Sequence, residues 1–349
     1  MKQASSAEID AIRSRVDAVL DAFLGEQRSA LEGLGPEALE PYDELARVVR
    51  AGGKRLRPLF CFWGYRAAGR DDDEPIVKAA ASLELLHTFA IIHDDVMDRS
   101  PLRRGQSATH IELARGDAHL GVSSAILVGD LALTLADTLL AGSGFRPEAL
   151  VAGLHWYNRM RTEVVTGQYL DIVATRAPSI DEETARRIAS MKSGGYTVEK
   201  PLLIGAALGG APPETVAVLS AYGMLLGEAF QLRDDVLGAF GDPAVTGKDA
   251  DGDLREGKRT LLVARALEAS SPDEGAFLTE HLGREDLTAG DADRIREILR
   301  TSGALASTQA LIDAHRNVAL AALAATQVLP AHAVAALTEL ADLAIVRES

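Results

Sequence analysis

The stretch LELLHTFAIIHDDVMDRSPLRRG, residues 83–105, decides how the rest of the chain is read. Leu83, His87, Ile91, Asp94 and Asp98 recur at i, i+4, i+8, i+11 and i+15, which puts them on one stripe of a helix over 83–98. Asp94 and Asp98 are then one turn apart. Like charges at that spacing destabilise a helix unless a cation offsets them. Hard divalent cations take oxygen ligands of this kind. The competing reading is a solvated acidic helix end. The apolar run LLHTFAII leads this helix into a core, which favours the metal. His87, on the same stripe, reads equally as a core histidine or as a ligand. Beyond the helix-stopping Pro101, Arg103 and Arg104 offer guanidinium forks that match phosphate oxygens and keep their charge. They can also pair with the nearby aspartates, and such pairs would preorganise a phosphate site.

A second acidic group lies about 140 residues further on, at Asp234-Asp235 in QLRDD. Leu219, Tyr222, Leu226 and Phe230 form an apolar stripe on a helix over 219–240, and Gln231, Asp234 and Asp235 form a polar patch beside it. The position matching Asp98 is Gly238, so a third carboxylate is missing. The segment 241–258, GDPAVTGKDADGDLREGK, carries Lys248 and Lys258 and is poor in apolar residues. It is a solvated connection or a lid, and its place after the acidic pair favours a lid. Upstream, AGGKRLRP at 51–58 opens a helix with Lys54, Arg55 and Arg57, a weak anion-site signal by itself. In TGQYLD, 166–171, Gln168 and Asp171 are three apart and share a helical side. Lys192-Ser193 begins a Gly-broken segment.

Helical periodicity dominates the remainder. The expected helices fall near 6–32, 36–51, 54–68, 75–99, 117–141, 147–173, 181–191, 197–209, 213–240, 258–269, 289–301, 304–325 and 331–346, with no convincing strand. The fold class is all-α, a single domain over 1–349 built as a bundle of about ten or more helices. The catalytic motifs fall within 50–260, and 270–349 is a helical tail for core and dimer packing. A formal net charge of −15 argues against a nucleic-acid partner. The single cysteine, Cys61, allows no intrachain disulfide and fits a reducing compartment. No apolar signal core opens the chain, and no run reaches about 18 uncharged apolar residues. A cytoplasmic protein without stable membrane insertion is expected.

Taken together, GGKRLRP (52–58), LLHTFAIIHDDVMD (85–98), RRG (103–105), GD (129–130), TGQYLD (166–171), KS (192–193), QLRDD (231–235) and GKRT (257–260) resemble the trans-polyprenyl diphosphate synthases. The resemblance is strongest to the geranylgeranyl-forming members. It implies an isoprenoid-synthase bundle around a deep central cavity, usually a homodimer. It implies that Asp94 and Asp98 on one wall, and Asp234 and Asp235 opposite, hold Mg²⁺, three ions per site, against an allylic diphosphate. Arg103, Lys192, Gln231, Lys248 and Lys258 would complete that subsite. Lys54, Arg57, His87 and Arg104 would hold the diphosphate of isopentenyl diphosphate, and Gln168, Asp171 and Ser193 would line the substrate cavity. Phe89 and Ala90, five and four residues before Asp94, resemble the C20 pattern, with C15 and C25 or longer as rivals. A class I terpene cyclase is the first rival reading, but it would not need GGKRLRP and a second arginine. A non-catalytic subunit would be expected to lose one acidic pair, and a plain helical scaffold leaves the order of the motifs unexplained.

Overall fold

A computed structural model describes residues 2–71, 73–177, 179–241 and 251–345. Nearly all of them are helical, and the only strand pairing among them is one two-residue hairpin. The chain divides into two compact units. One comprises Met1–Leu154, Pro201–Thr215 and Leu329–Leu340, the other His155–Lys200, Val216–Val328 and Ala341–Ser349.

The first unit begins with α1 (Lys2–Ser29), α2 (Pro36–Arg50), α3 (Leu56–Ala67) and α4 (Glu74–Met97). Asp73 starts α4 by accepting the amide of Ile76, with Pro75 in the first turn where its missing N–H costs nothing. Trp63, Phe60, Phe62, Leu83 and Leu85 are wholly buried in this unit's core. The segments 56–67 and 200–208 approach backbone to backbone. A Cβ at Gly64 would run into the carbonyl of Leu202, and one at Gly205 into that of Cys61.

After α4, Leu102–Arg103 and Gln106–Ser107 pair antiparallel as β1 and β2. The joining residues, Arg104 (φ 53°) and Gly105 (φ 72°), are both left-handed, as a tight two-residue hairpin requires. Helical periodicity alone gives no sign of this hairpin, because four paired residues are too few to show an alternation. A short α5 (Thr109–Glu112) follows, then α6 (Ala118–Ala141), capped by Asp117, and α7 (Pro147–Ala174).

In the second unit the expected break between 191 and 197 is absent. α8 (Glu182–Ala189) runs into a π-helical stretch, Ser190–Glu199, and the next helix, α9 (Lys200–Leu208), belongs to the first unit from Pro201 on. Gly194 does not break the helix. It lets the wide turn pack on Gly227 of α10 (Pro213–Phe240), where a side chain on either glycine would meet the other's backbone. Wide turns of this kind concentrate at functional sites, and Lys192 and Ser193 lie within it. Then come α11 (Gly252–Glu256), α12 (Leu261–Ala269), α13 (Pro272–His281), α14 (Ala289–Thr301) and α15 (Ala304–Ala325). The chain's last described helix is α16 (Ala331–Ile345). The sequence reading passed over α13, whose apolar face is slight. A reciprocal cap between Ser271 and Glu274 starts it. Leu262, Leu278, Ile295, Ile298 and Leu299 pack as one core cluster in this unit.

Among the described residues, α4, α6 and α10 are each long and apolar enough to cross a membrane by length and composition, once a charge or two is tolerated in the window. Inside the protein, 67% of that window is buried in α4, 44% in α6 and 50% in α10.

Gly205→Ala should destabilise the protein by at least about 1–3 kcal/mol, because two backbones would have to separate. A denaturant titration against the parent checks this, and an unchanged midpoint would remove the close-packing account.

Candidate active site

In the first unit the decisive geometry surrounds Arg55, a residue the sequence reading did not single out for a role. It caps α3 in a left-handed conformation (φ 51°) and is 6% exposed. Its Nε donates to Asp17 at 2.8 Å, Nη1 to Glu84 at 2.6 Å and Nη2 to the carbonyl of Val49 at 2.8 Å. Both side chains of the Arg55–Glu84 pair are 4% exposed. This pair ties the GGKRLRP segment to α4 one turn before His87. Lys54 precedes the helix rather than opening it, and Arg57 lies in its first turn. Both are partly buried.

Asp94 and Asp98 stand at the end of α4, where the amide of Asp98 closes the last turn on the carbonyl of Asp94 at 2.8 Å. Arg103 Nε donates to Asp95 Oδ1 at 2.7 Å, its Nη2 contacts the same oxygen, and Nη2 lies 3.7 Å from Asp94. Burial opposes the charge on Arg103, but Asp95, Asp94 and Asp98 outweigh it and raise its pKa. Asp95, 2% exposed, therefore anchors an arginine, a role the motif alone did not reveal. Arg104 turns elsewhere. Its Nη1 donates to the carbonyl of Gly52, and its guanidinium lies so close to Gly53 (φ 140°) that a Cβ there would stand 3.0 Å from Nη2. Burial and its arginine neighbours lower the pKa of Arg104.

His87 registers this cationic surrounding. Burial, then the fields of Arg57, Arg104, Arg103 and Arg55, push its pKa well below 6.5. It is neutral at pH 7, able to donate a hydrogen bond but carrying no charge. Phe89 and Ala90, further along α4, are partly buried.

The second unit has the opposite polarity. Burial raises the carboxyl of Asp235 to about 7, and Asp234, Asp253 and Asp171 add repulsion, while a 2.6 Å hydrogen bond from Gln231 pulls the other way. Lys192 Nζ donates to Asp171 at 2.7 Å, and Lys258 Nζ to Asp253 at 2.8 Å. Gln168, one turn before Asp171, and Ser193, next to Lys192, are partly buried. The missing third carboxylate also finds an explanation. A Cβ at Gly238 would collide with the carboxylate of Asp253, so glycine there makes room for an acid supplied by α11. Arg296 holds that region by donating to the carbonyl of Ala239 at 2.7 Å and to Asp251 at 2.5 Å. The 270–349 tail thus does more than pack. Lys248, with half of the expected lid, falls outside the described residues.

No three of His, Cys, Asp and Glu converge into a ready-made ligand set among the described residues. The donors nevertheless suit a hard cation that brings waters or phosphate oxygens to complete its shell. They are carboxylates only, and within the second unit burial and neighbouring acids raise Asp235.

A family model described as polyprenyl synthetase matches residues 40–299. The chain belongs to the polyprenyl synthetase family. It is a prenyltransferase. Geranylfarnesyl diphosphate synthase of Aeropyrum pernix is 36% identical over 262 residues, 74% of this chain and 79% of that one. Geranylgeranyl diphosphate synthase of Methanosarcina mazei is 36% identical over 264 residues, 74% of this chain and 76% of that one. In structure, this synthase is similar to the geranylgeranyl pyrophosphate synthase of Corynebacterium glutamicum, solved with isoprenyl diphosphate and magnesium. The TM-score is 0.93 at 36% identity, covering 97% of this chain and 99% of that one.

Two measurements test the electrostatics of this prenyltransferase. Glu84→Gln should cost about 3–5 kcal/mol in a denaturant titration, since it leaves the buried Arg55 charge short of its partner. The second concerns pH. The unfolded chain protonates His87 near 6.5 and the folded chain only well below, so its contribution to stability is full above that pH and lost as pH falls. His87→Gln should therefore show a smaller drop in Tm between pH 7 and pH 5 than the parent, and an equal drop would contradict the burial argument.

Proposed function

We propose that the chain, working as one catalytic domain over 1–349, joins isopentenyl diphosphate to an allylic diphosphate and releases an all-trans polyprenyl diphosphate, C20 geranylgeranyl diphosphate. The observation that carries this reading is the placement of Arg57 and Arg104 beside a neutral His87, next to the aspartate-held Arg103, in a protein of net charge −15. So much local positive charge in an acidic chain is suited to a polyanion.

Lys54, Arg57 and Arg104 hold the diphosphate of isopentenyl diphosphate, and His87 donates a hydrogen bond to it. Arg103, Lys192, Gln231 and Lys258 hold the allylic diphosphate, joined by Lys248. Asp94, Asp98, Asp234 and Asp235 would hold Mg²⁺, three ions per active site, which neutralise the charge that builds on the departing diphosphate. Gln168, Asp171 and Ser193 line the substrate path.

Heterolysis of the allylic C–O bond leaves a carbocation. The double bond of isopentenyl diphosphate attacks it, forming the new C–C bond, and a proton is lost to the departing diphosphate. Water would quench the cation, so the apolar walls must exclude it. Phe89 closes the tail cavity, and the small Ala90 leaves room for C20. The kinship to a geranylfarnesyl synthase supports a C25 product as the second reading. The working form is a cytoplasmic homodimer.

Purified protein incubated with Mg²⁺, isopentenyl diphosphate and, separately, C5, C10 and C15 allylic diphosphates should yield C20 by mass spectrometry. A C15 or C25 product keeps the reaction and overturns the chain-length assignment. Release of a hydrocarbon or alcohol from the allylic substrate alone would overturn the reaction itself. Asp94→Ala and Asp98→Ala should each lower turnover by at least about 10²-fold while the protein stays helical.

A further inference from the structure

The pair Gly129-Asp130 has so far no role. In α6 it lies against the end of α4, and the residue it meets is His93. A Cβ at Gly129 would run into the imidazole, so the glycine is a slot cut for that ring. Inside the slot His93 Nε2 donates to the carbonyl of Ile126 at 3.1 Å, and Asp130 Oδ1 lies 3.7 Å from the same nitrogen. The ring also meets Phe89 one turn back on α4. Their centroids are 4.7 Å apart and the planes cross at 65°, an edge-to-face arrangement. The His93 side chain is 18% exposed.

A phenylalanine on a helix has more than one open χ1 well, and a neighbour on the same face one turn away selects among them. Here that neighbour is not free to follow. The hydrogen bond to Ile126 and the slot at Gly129 hold the imidazole, and the imidazole holds the phenyl ring. We infer that His93, seated on Gly129, is the positioning residue that keeps Phe89 in place as the stop for the growing prenyl chain, and that it thereby sets product length. This rests on the proposed reading of Phe89 as the stop. Catalysis proceeds without the wedge, but the stop then yields to one or more further five-carbon additions.

The test reads product length rather than rate, with enzyme in excess so that slow variants still give product. Phe89→Ala, His93→Ala, the double variant and Gly129→Ala are each supplied with isopentenyl diphosphate and a C15 allylic diphosphate. His93→Ala should move the major product at least one C5 unit beyond the parent's, and the double variant should match Phe89→Ala alone. Gly129→Ala, which displaces the imidazole without removing it, should lengthen the product in the same direction. If Phe89→Ala lengthens the product while His93→Ala and Gly129→Ala keep the parent length, the inference is wrong. It is equally wrong if the double variant goes beyond Phe89→Ala, because the two residues then act independently. An unchanged product in Phe89→Ala would instead remove the reading of Phe89 on which the inference stands.

Discussion

The buried pair between Arg55 and Glu84 is the interaction that fixes the GGKRLRP segment against α4. Two charges removed from water are costly unless geometry and further hydrogen bonds satisfy both. Asp17 and the carbonyl of Val49 supply those bonds, so Arg55 spends its charge wholly inside the protein. The result is a fixed distance between the GGKRLRP segment and α4. Lys54 and Arg57 flank the anchor in sequence, and His87 lies one turn beyond its carboxylate partner. Three side chains of different chemistry are thereby held on elements that cannot drift apart. Catalytic gain from positioning requires this kind of rigidity.

The second unit solves a different problem. Burial first, and then repulsion from Asp234, Asp253 and Asp171, raises the carboxyl of Asp235. A protein retains such a cluster at a cost to its own stability, and a cation that brings the opposite charge turns the cost into binding energy. The exchange between Gly238 and Asp253 shows how closely space is allotted there. The carboxylate of Asp253 in α11 takes the space a side chain at 238 would need, and Lys258 pairs with both Asp253 and Glu256. Arg296, far along the chain, ties Asp251 to the last turn of α10. The C-terminal helices thus reach the acidic region through Arg296, and Arg233, beside Asp234, donates to the carbonyl of Ile345.

The long helices were legible because each carries several turns of apolar residues, and α6, α10 and α15 begin and end within a residue or two of expectation. Asp94, Asp98, Asp234 and Asp235 stood out as candidates because paired acids on an apolar helix are rare without a reason. What escaped is what depends on partners distant in sequence. Arg55 looked like one more surface cation in a basic run, because nothing local shows that Asp17 and Glu84 converge on it. Gly194 looked like a helix breaker, because its purpose is contact with Gly227. Gly238 looked like a lost carboxylate, because Asp253 fills its place from another helix. His93 drew no separate reading, because the carbonyl of Ile126 and the room at Gly129 that seat it lie in α6.

The dipeptide Arg103-Arg104 joins these themes. In an extended strand successive side chains point to opposite sides, and a turn in the left-handed region sharpens the divergence. Arg103, the last residue of β1, goes to Asp95 and Asp94. Arg104, the first residue of the turn, goes to the Gly52 carbonyl and covers Gly53. Adjacent arginines of one sequence motif therefore serve two places, one at the acidic end of α4 and one at the basic segment before α3. That division requires a left-handed residue at 104 and a glycine at 105, which is why a hairpin of only four paired residues persists in an otherwise helical chain. It also requires glycine at 53, since any side chain there would displace the guanidinium. The two glycine-bearing motifs, GGKR and RRG, are thus two halves of one steric arrangement, and neither can be understood from its own residues.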